Sequence, residues 1–234
     1  MLSGNEAHHA GHVVRLRVGD SAIVFDGQGS ESVCTVVATE RRGVRMRVDR
    51  VIRHEPAHCR IHLFQAITKG NTLDDIIEKS VELGVTVIRP LVTERVIARP
   101  VLKGVSNKGR KWRRTIIEAA KQCGQCWLPT LKPPALFEEA LESDRHHDLR
   151  LVASLGPDAS HIRALFDHYL DAHGRLPGTV SVWIGPEGGF APSELERLVQ
   201  CGVQSFTFGE LVLRCETASV SALAILQQEI RWRR

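Results

Sequence analysis

The sequence predicts an α/β domain built on a parallel sheet and preceded by a small β-barrel. Two observations carry this expectation. From residue 12 to residue 67 short β-like runs follow one another with turn signals between them, and after about Pro56 apolar runs alternate with helical patterns. Closely spaced short strands suit a barrel, whereas strand and helix in alternation need crossovers and hence a parallel sheet covered on both faces. Size agrees: 234 residues, 43% hydrophobic and 25% charged, suffice for one small and one medium domain. A boundary is expected between residues 56 and 62, giving a barrel over 1–60 and an α/β domain over 61–234.

The barrel strands are expected at "HVVRLRV" (12–18), "SAIVF" (21–25), "VCTVVA" (33–38), "GVRMRVDRVI" (43–52) and "RIHLFQAI" (60–67), with turns at Gly19-Asp20 and Asp26–Gly29. Asn71 is then expected to cap a helix through "NTLDDIIEKSVELG". Leu73, Ile76, Ile77 and Val81 fall on one face, Asp74 and Asp75 suit the positive end of the helix dipole, and Gly84 ends the helix. Strand "VTVIRPLV", a helix through "RKWRRTIIEAAKQCG", a loop at Pro129–Pro134, strand "RLVASL" and a helix near 159–171 follow. "TVSVW" (179–183) reads as a buried strand, and "PSELERLVQCG" as a helix with proline and Glu194 in its first turn and glycine past its end. A strand ending at Gly209, a loop, and a long helix from about Glu216 close the chain.

Net charge is +4, and residues 89–114 hold nine Lys and Arg against one acidic residue. Such a run is either a solvated face or a polyanion-binding surface. No uncharged stretch approaches the roughly 20 residues of a membrane span, and "MLSGNEAHHAGH" has no signal-peptide pattern. A cytoplasmic protein is expected, with its six spread cysteines as free thiols. "CGQC" (123–126) closes a helix, where a redox motif would open one, and the adjacent His pairs at 8/9 and 146/147 point apart, so no metal site is expected.

The glycine turn "IGPEGG" (184–189) lets a ligand approach the backbone, because Gly185, Gly188 and Gly189 carry no Cβ and can take positive φ. It is not a Walker A loop, lacking Lys-Ser or Lys-Thr, nor does it have dinucleotide spacing. In "FTFGELVLRCETASVSAL", Arg214 and Glu216 stand at a helix mouth beside an apolar loop, which suits a neutral ring ligand with polar edges better than a phosphate.

"FQAITKGNTLDDIIEKSVELGVTVIRPLVTERV", "IIEAAKQCGQ", "WIGPEGGFAPSELE" and "FGELVLRCETASVSAL", in this order and spacing, resemble the bacterial 16S rRNA uridine-N3 methyltransferases of the SPOUT superfamily, and "HHAGHVVRLRVGDSAIVFDGQG" resembles their amino-terminal barrel. The likeness covers nearly the whole chain. It implies a PUA-like barrel for RNA contact, an α/β domain ending in a trefoil knot, a homodimer, and S-adenosylmethionine bound between three loops, with the small ribosomal subunit as partner and no metal. The cofactor walls would be Ser154, Leu155 and Gly156; Ile184, Gly185, Pro186, Glu187 and Gly188; and Phe208, Gly209, Val212, Leu213 and Arg214, with Thr217 and Ala218 behind them. RNA contacts would come from Arg15, Arg17, Arg95, Arg99, Lys108, Arg110, Lys111 and Arg114.

Two departures stand out. The family's Arg-x-Phe stretch ahead of the paired His is missing, and its Cys-Gly-Arg reads Cys-Gly-Gln at Gln125, leaving Lys121 or Arg114 to supply a basic contact. For the chemistry, Arg214 and then Arg95 are the expected donors to a uracil carbonyl, and Glu216 or Glu118 the expected proton acceptors. Arg214 serving only to brace its loop, and Glu216 only to cap its helix, stay open. Two alternative functions are a ribose 2′-hydroxyl methyltransferase with the same pocket loops and a non-catalytic RNA-binding protein.

Overall fold

The computed structural model describes residues 1–40, 43–96 and 101–233, with the backbone path alone for residues 5 and 101–106. The chain divides into two compact units, Met1–Pro56 and Ala57–Arg234.

The first unit is a three-stranded antiparallel sheet, β1 (Ser21–Phe25), β2 (Ser30–Glu40) and β3 (Gly43–Arg53), in the order β1-β2-β3. Irregular register at Val33/Cys34 and Val36/Ala38 bends the long β2–β3 ribbon. The expected strand at 12–18 does not form. After α1 (Gly4–His8), residues His9–Val13 make one π-helical turn, and Arg15 takes a left-handed φ of +59°. The amides of Val14 and Leu16 donate to the carbonyls of His9 and Ala10, so the backbone is satisfied locally. Val13, Val14 and Val18 stay exposed while Ala10 packs with Val36 and Val44. The alternation in "HVVRLRV" therefore lacks a buried face. "RIHLFQAI", also expected in the barrel, is a central strand of the other unit.

That unit is a parallel sheet in the order β10-β8-β9-β4-β5-β6, with β7 also pairing β5. Its strands are β4 (Arg60–Ala66), β5 (Val87–Val92), β6 (Thr130–Leu131), β7 (Ala135–Leu136), β8 (Leu149–Ala153), β9 (Thr179–Ile184) and β10 (Gln204–Phe206). The helices are α2 (Thr72–Glu82), α3 (Val101–Cys123), α4 (Phe137–Asp144), α5 (Ile162–His173), α6 (Pro192–Gln200) and α7 (Cys215–Trp232). The expected loop at 129–134 contains β6, and α4 was not expected at all; its apolar Phe137, Ala140 and Leu141 occupy too few turns to declare a period.

Strands covered on both faces become continuous apolar runs, as in β9, where residues 180–184 are buried. The Trp183 ring stacks on Phe64 at 4.5 Å between centroids, and its Nε1 donates to the fully buried Asp144 carboxylate at 3.0 Å. Each such large side chain contributes about 1.5–3 kcal/mol by leaving water. On α2 the expected residues Leu73, Ile76, Ile77 and Val81 are buried. Asn71 precedes α2 without a side-chain cap; its Oδ1 accepts from Lys111 Nζ at 3.2 Å instead. α3 begins nine residues before the expected Arg110, and its buried Trp112, Ile116, Ala119 and Ala120 share one face. Among the described residues no helix is long and apolar enough to cross a membrane.

Candidate cofactor-binding site

At the carboxyl ends of β8, β9 and β10 lies a cavity of about 760 Å³, within the usual size of small-molecule sites. Three loops wall it. Ala153 ends β8 with Ser154 and Leu155 beyond it, Ile184 ends β9 with the 185–190 loop beyond it, and Phe208 with residues 211–215 leads from β10 into α7. Thr72, Leu195, Glu216 and Ala218 complete the lining.

The glycines divide their roles. Gly189 has a φ of +68°, which favours glycine. Gly185 has ordinary dihedrals, but a Cβ there would meet the Phe190 amide nitrogen at 2.9 Å and the Gly189 carbonyl carbon at 3.1 Å. The loop folds back on itself so tightly that only a hydrogen fits. Gly188, expected to need positive φ, does not take it, and a Cβ on it would touch Arg95 Cδ at an ordinary 3.6 Å.

Carboxylates brace this loop from neighbouring turns. Glu194, buried in the first turn of α6, accepts from the Ala191 amide through Oε2 and from the Glu94 amide through Oε1, both at 2.9 Å. Glu187 accepts from the Lys69 amide at 2.9 Å. Both clamps join residues about a hundred positions apart, so nothing in local spacing announced them.

Twelve expected cofactor residues line the cavity: Ser154, Leu155, Ile184, Gly185, Pro186, Glu187, Gly188, Phe208, Val212, Leu213, Arg214 and Ala218. Gly156, Gly209 and Thr217 do not. Gly156 closes a turn on Ser154 Oγ at 3.1 Å, Gly209 at φ +113° closes another on Thr207 Oγ1, and Thr217 faces solvent on α7. Gly189 and Leu211, within the expected loops, line it too, and Thr72, Ala153, Phe190, Leu195 and Cys215 line it without having been expected. Burial and the fields of Glu187 and Glu216 push the Cys215 thiol up to about 11.

Of the expected catalytic residues, Arg214 is exposed on the cavity wall and its carbonyl accepts from the Ala218 amide at 2.8 Å, while Glu216 is partly buried beside it. Arg95 reaches the same wall. Glu118 does not: it pairs with Lys121 at 3.1 Å in a separate groove between α2 and α3 lined also by Lys111 and Arg114.

Lys108, Arg110, Lys111 and Arg114 are exposed on α3, but Lys111 is engaged by Asp74 at 2.7 Å and Arg110 by Asn107. Arg15 and Arg17 are exposed in the first unit, and Arg99 lies outside the described residues. Lys121, considered for the contact missing at Gln125, is committed to Glu118.

A family model described as an RNA methyltransferase domain matches residues 55–227, and one described as an RNA methyltransferase PUA domain matches residues 2–49. The chain is 30% identical over 225 residues to ribosomal RNA small subunit methyltransferase E of Synechocystis, covering 95% of this chain and 71% of that protein. The Bacillus subtilis protein of the same name is 26% identical, with 97% and 89% covered. The solved structure of the Neisseria gonorrhoeae protein of that name, bound to S-adenosylmethionine, superposes with a TM-score of 0.82 at 28% identity, covering 97% of this chain and 90% of that one.

Proposed function

The chain belongs to the RNA methyltransferase family, and from that premise we propose that it methylates N3 of a specific uridine in 16S rRNA of the small ribosomal subunit. It is an enzyme of ribosomal RNA methylation with an α/β domain and a PUA-type amino-terminal domain, using S-adenosylmethionine. The observation that carries the proposal is the cavity at the carboxyl ends of β8, β9 and β10. Its walls are glycine turn and apolar side chains, with no lysine to hold a phosphate, and Arg214 and Glu216 stand together at its edge. A cofactor with an adenine ring and a thioether arm fits such walls, and the tight turn at Gly185 lets backbone groups approach its polar edge.

When bound, S-adenosylmethionine supplies an electrophilic methyl group whose leaving group is a neutral thioether, so no acid is needed on that side. The residues of this chain are left with the uracil. Its N3 proton has to depart, and charge then develops on O2 and O4. The Arg214 guanidinium is the donor for that charge and Glu216 the acceptor for the proton, while the clamped 185–191 loop fixes the reactants' positions. Arg95 holds that loop.

We further read the 207–214 segment as part of a trefoil knot, because α7 leaves the sheet edge at β10 and returns to the sheet centre, where Ser219 meets Gln65 of β4. Leu155, Leu211 and Val212, exposed at the cavity mouth, support a homodimer in which a second copy covers them. The amino-terminal unit would hold RNA, and the enzyme would act in the cytoplasm. Incubating the protein with labelled S-adenosylmethionine and unmodified small subunits, then digesting the RNA, tests the function: label in 3-methyluridine supports it, and label in a 2′-O-methyl nucleoside or none at all overturns it.

A further inference from the structure

At the opposite end of the parallel sheet from the cofactor cavity, a second cavity of about 310 Å³ opens between the start of β4, β5 and β9 and the end of α4. Its charged lining comes from separate elements: Arg60 and His62 on β4, Arg89 on β5, Lys132 beyond β6, and His146 and His147 after α4. We propose that this cavity is a phosphate-binding subsite and that, given the rRNA substrate proposed above, it seats a phosphodiester of the RNA backbone.

The carboxylates near it face other partners, apart from Asp144 Oδ1, which is buried without a hydrogen bond among the described residues and lies against His147. Asp144, fully buried, accepts from Trp183 at 3.0 Å and lies 2.9 Å from His147 Nδ1. Glu139 accepts from the Leu136 amide, and Asp148 takes Arg175 and the amides of Gly178 and Thr179. Among the described residues Arg60, Arg89 and Lys132 form no ion pair. For Arg89 this matters most, because the residue is partly buried and burial draws its pKa down, with the field of Glu139 opposing. A half-buried cation without a counterion is costly, and an incoming anion removes the cost.

The histidines record the same field. His147 Nε2 and His62 Nδ1 are 2.6 Å apart, so one donates to the other. With Nδ1 of His147 facing the Asp144 carboxylate and carbonyl, that nitrogen carries the proton, and the bridging proton then belongs to His62. His62 Nε2 is thereby a bare, buried lone pair with no partner among the described residues. Burial first, then His147 and Arg60, hold His62 down to about 4, with Lys132 adding to and Asp144 opposing the effect. Seating an anion among these cations offsets their repulsion and raises His62 toward its ordinary value.

The test follows the His62 ring by NMR across pH in the full chain, at matched ionic strength, with chloride, inorganic phosphate or a uridine-containing oligoribonucleotide. Both phosphate-bearing probes are expected to raise the His62 pKa by about one unit relative to chloride. Arg60→Gln with Lys132→Gln, both exposed positions, should reduce that rise by at least half and lower the salt slope of oligoribonucleotide binding by about 1.4. No rise with either probe, or an undiminished rise in the double variant, overturns the proposal; a rise with inorganic phosphate alone overturns its RNA-backbone part and assigns the cavity to a small phosphorylated solute. The ring reports the anion without methyl transfer, so an enzyme inactive on small subunits with a normal His62 response refutes the uridine reading and leaves this one standing.

Discussion

The Arg95 guanidinium donates to the Gly188 carbonyl across 2.7 Å, tying the loop after β5 to the glycine turn after β9. Glu194 joins the same two loops through the Glu94 amide. The glycine turn is thus held from outside by two side chains and from inside by its own tight path. Arg95→Ala should weaken cofactor binding as well as the chemical step, whereas a pure transition-state donor would affect only the second; calorimetry with S-adenosylmethionine beside single-turnover rates separates the two.

Gly185→Ala places a methyl 2.9 Å from the Phe190 nitrogen, so the loop has to open. Cofactor affinity should fall by tenfold or more, about 1.4 kcal/mol. Gly188→Ala, whose methyl meets only Arg95 Cδ at 3.6 Å, should change affinity much less. Equal losses in calorimetry would contradict the difference in crowding.

Arg214→Ala should lower the single-turnover rate by about 100 to 1,000-fold with cofactor and RNA affinities changed much less, because its donor acts on charge that develops near the transition state. Raising the pH should restore part of the rate as uracil ionises unaided. Weak cofactor binding with normal turnover at saturation would make Arg214 a brace of its loop.

For the basic face of α3, replacing Lys108, Arg110 and Lys111 by Ala should lower the salt slope of RNA binding by about two units. Lys111 also gives up its exposed bridge to Asp74, a loss of about 0.2–1 kcal/mol in stability. An unaltered slope would leave α3 as a solvated surface.

Ser219 Oγ donates to Gln65 Oε1 at 2.6 Å with both residues fully buried, fixing α7 to the sheet centre. Ser219→Ala strands the Gln65 oxygen and should cost about 1–3 kcal/mol in denaturant unfolding. Adding Gln65→Leu should recover part of that loss, and strict additivity would disprove the coupling.

The unfolded His62 ring binds a proton below about 6.5 and the folded ring only below about 4. Between these values the unfolded state holds more protons, so stability is complete above the window and falls as pH drops through it. With screening of the partly exposed ring, the loss is on the order of 1–2 kcal/mol. His62→Asn should flatten stability over that range, and identical pH profiles would reject the assignment.

Much of the second unit was legible because its central strands carry runs of buried apolar residues and α2, α6 and α7 announce their faces or ends by spacing. The first unit misled where "HVVRLRV" alternates without a core behind it, and α4 escaped because eight residues barely span two turns. The three cavity walls through Ser154, Gly185 and Arg214 were implied by the family resemblance, with the glycine turn alone suggested by its own pattern. The sequence did not distinguish Gly185, which admits no Cβ, from Gly188, which does, nor did it exclude Glu118, which the packing of α3 on α2 carries away from the cavity. The His146-His147 pair was dismissed because neighbours point apart; His147 turns inward to Asp144 and His62 while His146 stays exposed.

Cys215 sits in the wall of a cavity that would hold an alkylating agent. A thiolate there would capture the methyl group and inactivate its own enzyme. Burial and the fields of Glu187 and Glu216 push the thiol up to about 11, so the anion is disfavoured at neutral pH. Burial thus keeps the Cys215 thiol in its neutral, weakly nucleophilic form, which suits a cavity wall facing a methyl donor.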